Sequence, residues 1–157
     1  MVATGSIVIG VRMRDALGAR GPSFWGMAGP AVFSTMALFV AFYTAALLLR
    51  KKSALHKRLI IVASAAGMGA AAFRILAAAF GQVMWILPAA VVVTNVFILA
   101  GMGLDLWREG RIHRVYLIGL PVCFVVELGT FLATPTPAGQ FIARGLAWVG
   151  NTLGFLY

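Results

Sequence analysis

A chain of 157 residues that is 62% hydrophobic and only 11% charged, with a mean hydropathy of +0.97, cannot hide its apolar side chains inside a soluble domain of that size. Its net charge of +9 would suggest nucleic acid in a soluble protein. Here the Lys and Arg residues gather in short loops between apolar runs, where the positive-inside rule places them and where lipid phosphates are the anionic partners, so no nucleic acid is expected. Cys123, the only cysteine, lies inside an apolar run and excludes both an intrachain disulfide and a paired-cysteine metal site.

In chain order, residues 1–11 are apolar and end at Arg12 and Arg14. At 1.5 Å per residue such a helix covers about half a bilayer. No basic segment precedes it, so it is a poor signal peptide. It reads as a re-entrant or tilted segment, or as the tail of a longer helix that starts upstream. Five apolar runs follow, at residues 31–49, 59–80, 83–104, 115–134 and 139–157. A hydrocarbon core of about 30 Å needs roughly 20 helical residues. The runs lack the alternation of barrel strands, and the first three are too long for them. The expectation is an all-α integral membrane protein: residues 1–157 form one transmembrane domain, a bundle of about five helices plus the short N-terminal segment.

The loops set the orientation. Arg50, Lys51, Lys52, Lys57 and Arg58 lie between the first two runs, and Arg108, Arg111 and Arg114 between the third and fourth. Both loops are expected on the cytoplasmic side, with Arg50, Lys51, Lys52, Lys57, Arg58, Arg111 and Arg114 against lipid phosphate. The uncharged links around Gly81 and Pro137 then face the other side, against the three arginines at positions 12, 14 and 20. Trp25 and Trp85 fall near the outer interface, Trp107 and Tyr116 near the inner one, as an aromatic belt would place them. Lys51-x4-His56-Lys57 and Arg108-x4-His113-Arg114 form a faint echo at an offset of 57 residues, as two tandem hairpins would.

Ionisable groups inside a membrane are functional candidates by default. Counting along a helix at 1.5 Å per residue, Arg74 lies about 24 Å beyond Arg58, Glu127 about 20 Å beyond Arg114, and Arg144 about 10 Å past Pro137. All three fall in the outer half of the bilayer, so Glu127 is expected to pair with Arg74, Arg144 or both. Ala63, Gly67, Ala70 and Arg74 share one helical face, whose small residues admit a neighbour and should make 59–80 the most protein-buried span. Gln140, Arg144 and Asn151 share another inward face, and Asn95 is a candidate for an interhelical hydrogen bond. The structural reading is an ion pair that fixes helix register. The functional alternative is a proton or anion site in a small outer cavity.

His56 and His113 stand at the cytoplasmic mouths of two spans, where axial ligation of one haem is the most specific chemistry on offer. The expectation is the reverse: interfacial anchors among cations, with no cofactor and no metal. The sequence carries no zinc-protease, P-loop or nucleophile-elbow motif, so no enzyme is expected.

The stretches ALHKRLIIVASAA at 54–66, AAFRIL at 71–76 and REGRIHRVYLIG at 108–119 resemble an uncharacterised family of bacterial multi-pass inner-membrane proteins. That family has a basic HKRL loop, an arginine late in the next helix, and a GR-x-H loop opening a later one. The resemblance covers residues 49–134. It implies further helices upstream, often with another histidine, so this chain looks N-terminally short. Where some members place a polar residue followed by proline, this chain has Val126-Glu127. Taken together, the expectation is an accessory or structural subunit of a larger respiratory or photosynthetic complex in the bacterial inner membrane, in contact with lipid and other subunits. The alternatives are a haem-binding electron-transfer protein using His56 and His113, and a small transporter using Glu127 and Arg74.

Overall fold

The computed structural model describes the backbone of residues 24–81, 83 and 85–153; the apolar segment 1–11 lies outside the described residues. Among these, five helices follow one another: α1 (Phe24–Leu48), α2 (Ser53–Phe80), α3 (Ile86–Glu109), α4 (Arg114–Ala133) and α5 (Pro137–Leu153). No strand occurs among the described residues. A bilayer interior offers no water to backbone amides, so these apolar runs satisfy their N–H and C=O groups internally, as helices. α1 from Ala28, and α2, α3 and α4 throughout, are long and apolar enough to cross a membrane. The protein is a multi-pass all-α membrane protein. α5 has 17 described residues, and the last four positions of the fifth expected run lie outside the description.

Glycines punctuate the bundle. α2 ends at Gly81 and α3 at Gly110, both at positive φ, where a Cβ would be strained. The N–H of Gly110 closes its helix on the carbonyl of Leu106. Outward positions of α3 and α4, such as Val92, Leu99, Ile118 and Val125, are exposed apolar side chains suited to lipid.

α1 and α2 pack along each other most extensively, followed by α2 on α3; α4 closes the group by touching all three. With little hydrophobic driving force in lipid, close approach of small residues does the work. α2 supplies it through Val62, Ala63, Ala65, Ala66 and Gly69, all buried. α2 and α3 share the largest buried fraction among the spans. At Gly67 an added Cβ would stand 3.0 Å from the Phe39 ring, so this glycine lets α1 and α2 meet. Two apolar clusters result. The one nearer the basic loops joins Leu38, Val62, Ala66, Ile98, Tyr116 and Cys123. The one at the other end joins Val32, Phe73, Ile86, Leu87 and Ala90 with Ala143, Leu146 and Ala147 of α5. Tyr116 is therefore core rather than interface: it is 1% exposed, with its ring against Gly101.

Candidate functional site

Glu127 lies one helical turn beyond Cys123 on the inward face of α4. It is 1% exposed, and neither carboxyl oxygen has a hydrogen-bond partner among the described residues. It borders a cavity of about 30 Å³, enough for one or two waters. Four helices wall this space: Ala31, Val32 and Thr35 from α1, Gly69 and Phe73 from α2, Leu87, Ala90, Val91 and Thr94 from α3, and Phe131 beside Glu127 on α4. Gly69 makes the room. A Cβ there would stand 2.9 Å from Thr94 Oγ1 and 3.1 Å from Thr35 Cγ2. Both threonines already donate within their own helices, Thr35 to the Val32 carbonyl at 2.8 Å and Thr94 to the Ala90 carbonyl at 3.2 Å. Their hydroxyl oxygens keep lone pairs and no spare proton.

The expected ion pair is not formed. Arg74 and Arg144 are both exposed, away from the buried carboxyl. The protein-facing side of α2 is broad: it runs through Arg58, Val62, Ala66, Gly69 and Phe73 and includes Ala63, Gly67 against Phe39 and Ala70 against the Phe73 cluster, but it stops short of Arg74. Phe73 takes the inward place, and Arg74 follows about 100° further round the helix. On α5 the inward positions are Ala143, Leu146 and Ala147, which leaves Gln140 and Arg144 outside; the side chain of Asn151 lies outside the described residues. Asn95 is buried, but its amide donates to Val91 of its own helix at 2.8 Å, and its Oδ1 has no partner among the described residues. No interhelical bond forms there.

The buried ion cluster is at the opposite end of the bundle, beside the basic loops. Arg58 is 7% exposed rather than out among the lipid phosphates. Its Nε donates to Asp105 Oδ2 at 2.6 Å and its Nη2 to Asp105 Oδ1 at 3.1 Å, a bidentate pair joining α2 to α3. Nη2 also pairs with Glu109, and Nη1 caps the Ala54 carbonyl at 3.1 Å. The sequence signal was available: Asp105 and Glu109 are two of four acidic residues in the chain and stand four apart, on one helical face. Counting loop cations alone passes over it. The other loop cations, Arg50, Lys51, Lys52, Lys57, Arg111 and Arg114, are exposed, as phosphate contacts require.

The two histidines do not repeat one another. His56 sits in the first turn of α2, and its Nδ1 donates to the Ala46 carbonyl at 2.8 Å. His113 precedes α4 as its cap, with Nδ1 accepting the N–H of Val115 at 3.2 Å. In the neutral ring the proton of His113 is then on Nε2. That nitrogen has no lone pair to offer an iron while the cap is made, so the arrangement does not favour the haem alternative. An open groove of about 330 Å³ beside His113 is lined by Glu109, Arg111, Arg114 and Leu117. No group of three or more His, Cys, Asp or Glu suited to a metal occurs among the described residues.

No family model, no curated protein and no solved structure matches the chain. What bears on function is the site itself: a buried carboxyl group without a hydrogen-bond partner among the described residues, on a glutamate that borders a small, largely apolar cavity between four helices.

Proposed function

We propose that this chain is a non-catalytic membrane carrier for a small species that binds at Glu127. The observation behind this reading is the pair of partnerless carboxyl oxygens at the bundle cavity. An acid placed there for structure would have a counter-charge or hydrogen-bond donors, as Asp105 has in Arg58. Polar groups at membrane depth that face an internal cavity mark substrate and ion paths. The bacterial inner membrane is the proposed location, with the loops at Lys51 and Arg108 cytoplasmic. The test uses proteoliposomes loaded with a pH-sensitive or a sodium-sensitive dye, each placed under the matching imposed gradient. A dye response in the native chain that is lost in Glu127→Gln supports the proposal. The same response in both, whether both move or neither, overturns it.

A second reading, the accessory subunit in a larger membrane assembly, is favoured by the outward placement of Arg74, Arg144 and Gln140 on the bundle surface. Polar groups in that position gain from an acidic or polar neighbour. Co-purification of a stoichiometric partner in mild detergent, lost in an Arg74→Leu and Arg144→Leu double variant, tests it. Kinship with the uncharacterised bacterial family is proposed on its loop motifs alone.

A further inference from the structure

We propose that the groove beside His113 binds the headgroup of one anionic phospholipid, a phosphodiester, at the mouth of α4. The groove is open, holds about 330 Å³ and is lined by Glu109, Arg111, Ile112, His113, Arg114 and Leu117. That volume falls in the range of about 300–1,000 Å³ usual for small-molecule sites. Arg111 and Arg114 are exposed, and no salt bridge among the described residues engages either one. The His113 ring commits Nδ1 to the α4 cap, so the nitrogen left for a ligand is Nε2, a donor. Phosphate oxygens take such N–H groups in short, charge-assisted hydrogen bonds. Glu109 does not cancel the cations, because its carboxylate is already paired with Arg58. Counting that cluster with the groove, Arg58, Arg111 and Arg114 stand against Asp105 and Glu109. One positive charge is left over, and the single negative charge of a phosphodiester matches it.

Position selects a lipid over a free anion. α4 starts at Arg114 and is long and apolar enough to cross a membrane, so the groove opens where headgroups lie. Its apolar wall continues along the span. Leu117, Pro121 and Phe124 follow one another at steps of four and three on one face of α4, and all three are exposed. Phe124 stands about 15 Å along the helix from Arg114, about half the depth of the hydrocarbon core. The stripe is a lane for an acyl chain whose phosphate rests on the arginines. A soluble phosphate would use the cations and leave the lane empty. Glu127 is buried within the bundle, so this surface site does not depend on the carrier reading.

The experiment is thermal melting of the full chain in a neutral detergent, with choline chloride as the salt at about 0.1 M to screen distant charges. Dioleoyl phosphatidylglycerol is compared with dioleoyl phosphatidylcholine at the same mole fraction in the micelles, and with phosphatidylcholine micelles given inorganic phosphate. A ligand that binds only the folded state raises the melting temperature by mass action. The native chain should melt several degrees higher with phosphatidylglycerol than with phosphatidylcholine, and inorganic phosphate should give no comparable rise. Arg111→Gln with Arg114→Gln should lose the rise. Lys51→Gln with Lys52→Gln removes the same charge from exposed positions of the other basic loop and should keep it. Leu117→Ser with Phe124→Ser should diminish it. The melt in phosphatidylcholine shows whether each variant folds; a pair without a melting transition is replaced by its two single variants, read in the same way. Equal melting of the native chain in the two lipids would overturn the inference. So would a rise that survives the arginine pair, a rise lost equally in the lysine pair, or an equal rise with inorganic phosphate.

Discussion

Removing the guanidinium of Arg58 should be the most damaging single change in the described bundle. Arg58→Met keeps an apolar stem in place and leaves Asp105, whose side chain is 13% exposed, without its bidentate partner. Breaking a buried pair on one side ordinarily costs about 3–5 kcal/mol. The lower end applies, because the cluster opens at the membrane mouth and the Glu109 side chain is 46% exposed, so its own share falls in the surface range of about 0–1 kcal/mol. A loss of about 3 kcal/mol corresponds to a melting temperature lower by about 6–12 °C for a chain of this size. Cys123 is fully buried and is the only thiol, so a thiol-reactive dye reports unfolding directly. Arg58→Met should melt early, Glu109→Gln close to the native chain, and Arg58→Met with Asp105→Leu should recover much of the loss. A native melting temperature for Arg58→Met, or an equal loss for Glu109→Gln, would refute the cluster as described.

Gly67→Leu should push the Phe39 ring away and destabilise by about 1–3 kcal/mol of overpacking, seen as an earlier melt; an unchanged melt would place this face toward lipid. Glu127→Gln should leave stability within about 0.5 kcal/mol or raise it, because no arginine depends on the carboxyl for its charge balance; a loss of several degrees in choline would reveal a hidden partner. His113→Ala should cost about 1 kcal/mol through the lost cap on α4, and His113→Asn should restore it in the same melt. Lys51→Cys in a Cys123→Ser background should resist an impermeant thiol reagent in intact cells; labelling from outside would invert the topology.

The spans were legible because backbone chemistry in lipid leaves an apolar run few options, but helix ends run into the loops, so α1 begins at Phe24 rather than 31, α2 at Ser53 rather than 59, and α3 ends at Glu109 rather than 104. The inward position of Glu127 was also legible as depth along a helix. Its surroundings were not. The stripes Ala63-Gly67-Ala70-Arg74 and Val62-Ala66-Gly69-Phe73 are both composed of small or apolar residues up to the last position. Both stripes face protein, but periodicity does not fix where the buried side of the helix ends, and a rotation of one residue carries Arg74 out of reach. The buried side centres on the stripe that gives Phe73 to the cluster shared with α5 and Gly69 to the two threonines. Arg58 was misplaced for a related reason: charge counts along a loop cannot show that Asp105 and Glu109 face it from a helix about fifty residues away. His113 shows the limit of motif matching, since its resemblance in spacing to His56 conceals opposite hydrogen-bonding roles.

Glu127 is buried beside the cavity without a counter-charge among the described residues, and a pair of double-mutant cycles tests this most directly. Stability is measured for Glu127→Gln, Arg74→Gln, Arg144→Gln and the two double variants in one detergent and in choline. Independent sites add within about 0.3–0.5 kcal/mol, whereas contacting partners couple by about 0.5–3 kcal/mol. The account predicts additivity for Glu127 with each arginine. A coupling above about 1 kcal/mol with either one would show the ion pair to exist and contradict a free acid at the heart of the bundle.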